Sequence, residues 1–81
     1  MNPPKYPPSA MREGVEGTVI LLISVDANGN VTDVKVEKSS RNRALDRAAI
    51  EAARKWRFNA ATRDGAAAAG TVRVPVDFKL G

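Results

Sequence analysis

Between Glu16 and Asp26 the chain alternates with a period of two, yet both faces of the alternation are apolar. Val19, Leu21, Ile23 and Val25 share one face, and Ile20 and Leu22 share the other with Thr18 and Ser24. A strand that buries residues on both faces belongs in the middle of a sheet, with partners on either side. Every other element must be arranged around it.

Asp26-Ala27-Asn28-Gly29-Asn30 follows as a turn, because Gly29 and the asparagines tolerate positive φ. Val31–Lys38 then alternates again, with Val34 and Val36 opposite Asp33, Lys35 and Glu37. The short connection makes the two strands an antiparallel hairpin. At Ser39–Asn42 the period changes. Leu45, Ala49, Ala52 and Trp56, flanked by Ala48 and Ala53, form a stripe of helical spacing. Asn42 is placed to cap that helix and Asp46 to meet the positive end of its dipole. Asn59–Gly70 reads as a loop, since four alanines between glycines are too few to hold a helix alone. The last strand is expected over Thr71–Leu80, with Val72, Val74, Val76, Phe78 and Leu80 on one face and Arg73, Pro75 and Asp77 on the other.

The last two strands are joined through a helix and so should run parallel to each other. With Glu16–Asp26 central and Pro75 tolerated mainly on an edge, the order becomes 2-1-3. The sheet is then antiparallel between neighbours, with the helix on one face. Ahead of it, Met1–Pro8 holds four of the five prolines and reads as an extended lead-in. Ser9–Glu13 is expected to form one helical turn ended by Gly14.

Composition narrows the chemistry. The 81 residues suit one small domain with a modest core. There is no cysteine and no histidine, which removes disulfides, the usual general base and the commonest metal ligand. The carboxylates Asp26, Asp33, Asp46, Asp64 and Asp77 are scattered, and Ser39-Ser40 has no base beside it. We therefore expect no enzyme, no catalytic residue and no cofactor. The Asp26–Asn30 loop lacks the glycine and glutamate positions of a calcium hand, so no metal site is expected. The net charge of +4 permits an anionic partner. The open sheet face, however, has no aromatic side chain on which bases could stack, so no nucleic acid is expected. The longest apolar run, Val19–Ile23, is far short of the ~20 residues that cross a bilayer. What remains is the third strand, whose outer edge offers unpaired backbone groups. Proline and charge along it suit a docking edge and protection against aggregation equally well.

Tyr6-Pro7 ahead of a short helix, Glu16-Gly17-Thr18-Val19, Val25-Asp26-Ala27-Asn28-Gly29, Leu45-Asp46-Arg47-Ala48-Ala49, Trp56-Arg57-Phe58 and Val74-Pro75-Val76-Asp77-Phe78 occur in that order. The ordered set, running from about Pro4 to Leu80, resembles the TonB C-terminal domain family. The resemblance implies an α+β fold: a three-stranded antiparallel sheet in order 2-1-3, with two helices on one face and the element order α-β-β-α-β. It implies residues 1–81 as a single domain, excised with an added Met1 from a protein with a proline-rich spacer and one N-terminal inner-membrane helix. The domain would lie in the periplasm and capture the TonB box of outer-membrane transporters as an added strand. Through its missing N-terminal part it would work with an inner-membrane proton-channel motor, for uptake of siderophores, haem or vitamin B12. Carried onto this sequence, the resemblance implies partner-binding residues Val72, Arg73, Val74, Pro75, Val76 and Asp77, with Pro3, Pro4 and Lys5 nearby and Tyr6 as an anchor. Gly17, Gly29, Leu45, Trp56, Phe58 and Phe78 are expected to be structural. A homodimer through the same edge, or a TolA-like cell-envelope domain, is the alternative.

Overall fold

Pro8 opens the first helix because its missing N–H costs nothing at the first helical position. This helix, α1, spans Pro8–Glu13 in the computed structural model, which describes residues 5–59, 61–63 and 66–80. Gly14 ends it at φ +70°, in the left-handed region. The Gly14 N–H donates to Met11 O at 3.2 Å and the Val15 N–H to Ala10 O at 2.9 Å, a paired C-cap that satisfies the last carbonyls. Ala10 is buried beneath this turn.

The strands β1 (Gly17–Val25) and β2 (Val31–Lys38) form the expected hairpin, with bulges at Ile20/Leu21 and Ser24/Val25. Its turn is organised by Asp26. The carboxylate accepts the N–H groups of Asn28 and Asn30, both at 2.9 Å, and Gly29 is the residue that takes positive φ, at +85°. Those bonds, the Asn30 N–H foremost, hold the Asp26 carboxyl below the usual carboxylate range. The Asp26 carboxylate oxygens are thus committed to the turn's own amides.

The second helix, α2, runs Arg43–Ala53. The Asn42 side chain accepts from the Leu45 N–H at 3.1 Å, as expected of its N-cap. Its buried stripe is Leu45, Ala49 and Ala53, whereas Ala52 is only half-buried. The expected stripe is corrected by one position at this end: the helix stops at Ala53, and Trp56 enters the core from the turn beyond it. Ahead of α2, Asp46 gathers the incoming loop. It accepts the Ser40 N–H at 2.9 Å, the Ser40 hydroxyl at 2.7 Å and the Ser39 hydroxyl. Between these two serines and the cap, Arg41 stands at φ +68°, unusual for a residue with a Cβ.

Desolvation raises the Asp46 pKa, but the Ser39 and Ser40 hydrogen bonds outweigh it and leave the carboxyl below its ordinary value. A carboxyl depressed in the folded state stabilises the fold above its unfolded pKa and loses that contribution as pH falls through the folded value. Asp46→Asn is therefore expected to flatten the decline in stability below about pH 4. Urea denaturation of both proteins at pH 7 and pH 3 measures it, and equal pH dependence would exclude this role for Asp46.

Residues 59–70 depart from the expected loop. Ala61–Arg63 (β3) and Ala66–Ala68 (β4) pair antiparallel as a small separate hairpin. The final strand, β5, spans Gly70–Phe78 and ends before Leu80, which is exposed and not a core residue. The Leu80 N–H instead donates to Glu16 Oε2 at 2.6 Å. The main sheet has the order β2-β1-β5, so β1 is central, and its neighbours are both antiparallel to it. The apolar face of β1 joins Leu45, Ala49, Ala53, Trp56, Val76 and Phe78 in the core.

Candidate strand-addition edge

The β1–β5 ladder runs without a shift from Gly17 opposite Phe78 to Val25 opposite Gly70. In a regular antiparallel ladder, alternate pairs exchange both hydrogen bonds, and the residues between them turn both groups outward. Pro75 lies opposite Ile20 and has no N–H to exchange. Its pair therefore belongs to the outward-turned class, and by alternation Thr71, Arg73 and Asp77 present their N–H and C=O groups on the same side. Among the described residues, β5 pairs with β1 alone, so these groups line an open edge.

The charges on this edge are turned away from it. The Arg73 Nε reaches across the central strand to Glu37 Oε2 at 2.7 Å, and Asp77 Oδ1 accepts the Thr18 hydroxyl at 2.6 Å. The Arg73–Glu37 pair is exposed and adds little to stability, at most ~1 kcal/mol. Its effect is positional, since both charges are laid over the sheet. On the opposite face, half-buried Val72 and Val74 form an apolar shelf beside the core.

At the Phe78 end of β5, the Tyr6 ring packs edge-on against Phe78 with centroids 5.5 Å apart. Its hydroxyl donates to Val15 O. Partial burial, helped by the nearby Glu16 charge, raises the phenol's pKa. The lead-in is thereby tied to the end of the open strand. Lys5 lines an open groove of about 640 Å³ with Pro7, Pro8, Arg43 and Arg47, which places it toward α2. Pro3 and Pro4 lie outside the described residues.

Of the expected structural residues, Gly17 fits close beneath the loop before α2, where a Cβ would meet Ser40 Cβ at 3.0 Å. The Phe58 N–H donates to Gly29 O at 2.9 Å, and its ring stands edge-on to Trp56 with centroids 6.4 Å apart. This pair fastens the exit of α2 to the β1–β2 turn. The tied-back charges of the edge were missed from sequence; only the cross-strand register reveals them.

A profile of the family described as Gram-negative bacterial TonB protein C-terminal matches residues 2–80. The chain belongs to the TonB C-terminal domain family. Protein TonB of Xanthomonas campestris pv. campestris is 72 % identical over 80 residues, covering 99 % of this chain and 36 % of that protein. Protein tonB2 of Pseudomonas aeruginosa is 50 % identical, covering 98 % of the chain and 30 % of that protein. The chain thus spans about a third of the length of these curated relatives. The solution structure of the Pseudomonas aeruginosa TonB CTD superposes with a TM-score of 0.83 at 34 % identity, over 99 % of this chain and 81 % of that one. The Helicobacter pylori TonB-CTD (residues 179–285) gives 0.72 at 30 %, over 95 % and 69 %. TonB C-terminal domains are periplasmic, and the family is one of energy transducers.

Proposed function

We propose that residues 1–81 act as one binding module that captures the TonB box of an outer-membrane transporter as a fourth strand along β5. The observation that carries this reading is the open β5 edge, regular over its whole length, with Arg73 and Asp77 held away from it. Main-chain bonds to Thr71, Arg73 and Asp77 supply the attraction, and alternate guest side chains meet the Val72–Val74 shelf or the Arg73–Pro75–Asp77 face. The upstream part of the protein, anchored in the inner membrane and driven by a proton-channel motor, pulls through the lead-in at Tyr6. The cargo is an iron-siderophore complex, haem or vitamin B12. Ordering a flexible transporter segment opposes binding, so the affinity of a free peptide is modest.

Titrating isotope-labelled domain with TonB-box peptides should shift the amides of residues 71–74 and 76–79 and those near Tyr6. Shifts confined to the Arg43–Arg47–Glu51 face of α2 would overturn the proposal.

A further inference from the structure

We infer that Pro75 selects the partner of the open edge: it penalises pairing of β5 with a second copy of this chain more than pairing with a foreign strand. The inference rests on the strand-addition reading and extends it to the choice between guest and self. Pro75 withholds one N–H from the outward row formed with Thr71, Arg73 and Asp77. A foreign strand laid along that row makes every available bond but one. A second β5, related by the two-fold axis usual in dimers, brings a second proline into the same ladder and loses two.

Changing register does not relieve the loss. With antiparallel copies centred on Val74, Arg73 faces Pro75 of the partner subunit, and each proline leaves one carbonyl unanswered. Centring the axis on Pro75 sets the prolines opposite each other, and again two donors are missing. A register that leaves both prolines unpaired shrinks the overlap to Thr71 and Arg73, or to Asp77 alone. Long exposed edges need protection against self-pairing, and charge is a common means. Here the charges are committed elsewhere, Arg73 to Glu37 and Asp77 to Thr18. Pro75 is the protective device left on the row itself, and it hinders self-pairing twice for each time it hinders a guest.

Pro75→Val tests this, because the substitution restores an outward N–H without touching the β1–β5 bonds. Sedimentation equilibrium gives the dimerisation constant, and calorimetric titration with a TonB-box peptide gives the guest constant. One recovered hydrogen bond should strengthen peptide binding about 2- to 12-fold. Two should strengthen dimerisation by about the square of that factor, roughly 5- to 150-fold. Moving the gap, with Arg73→Pro added to Pro75→Val, should return both constants toward wild type. Equal factors for the two constants, or a dimerisation constant unmoved by P75V, would overturn the inference. Peptide shifts that avoid β5 in the wild-type domain would instead overturn strand addition.

Discussion

Replacing Trp56 with alanine is expected to remove about 3–5 kcal/mol of folding stability. A chain of 81 residues is held by only about 4–12 kcal/mol in total, so this is a large share of what exists. The indole is 5 % exposed and enters the core past the last turn of α2. It also forms the edge-on pair with Phe58, whose N–H is bonded to Gly29 in the β1–β2 turn. Its loss therefore loosens both the helix exit and the hairpin tip. Guanidinium unfolding followed by circular dichroism reads the change as a fall in midpoint at unchanged slope. A loss under 1 kcal/mol would show that the core closes without the indole.

Phe78→Ala should cost a similar amount, about 3–5 kcal/mol, since the ring is 2 % exposed and fills the end of the core beneath β5. The substitution has a second effect that Trp56→Ala lacks. Tyr6 rests on Phe78, so its removal also frees the lead-in from the sheet. A double-mutant cycle with Tyr6→Ala isolates this contact, for which edge-on aromatic pairs give about 0.5–1.5 kcal/mol. Additive losses would mean that Tyr6 is fixed by its bond to Val15 O alone. Amide exchange at Lys5 and Tyr6 should accelerate in both single variants.

Sequence patterning made the sheet legible because burial on two faces leaves few options. The apolar pair Ile20 and Leu22, opposite the core set of β1, placed that strand between two neighbours, and Pro75 placed β5 at an edge. The β3–β4 hairpin was not legible for a comparable reason: Ala61–Arg63 and Ala66–Ala68 carry no alternation of apolar and polar side chains to announce a strand. Nor was the fold of the loop before α2. Its serines and Asp46 are visible in the sequence, but Arg41 in the left-handed region gives none of the usual glycine or asparagine warning. At the edge, the charged residues could be located but not aimed. Whether Arg73 reaches solvent or Glu37 depends on how β5 and β2 are staggered about β1, and two bulges in the β1–β2 ladder intervene. The end of α2 eluded the periodicity as well, because the Trp56 side chain fits a helical stripe although its backbone has already left the helix.

The position of Tyr6, at the Phe78 end of β5, sets how an attached strand would bear tension. A line entering through the lead-in and leaving from the guest's opposite extremity, beside Gly70, would run lengthwise between the two strands. Every rung would then share the load and rupture would demand that all give way together. A guest departing beside Phe78 would be peeled one rung after another by a far smaller tug. The same set of hydrogen bonds is thus a firm coupling in one direction of pull and a quick release in the other.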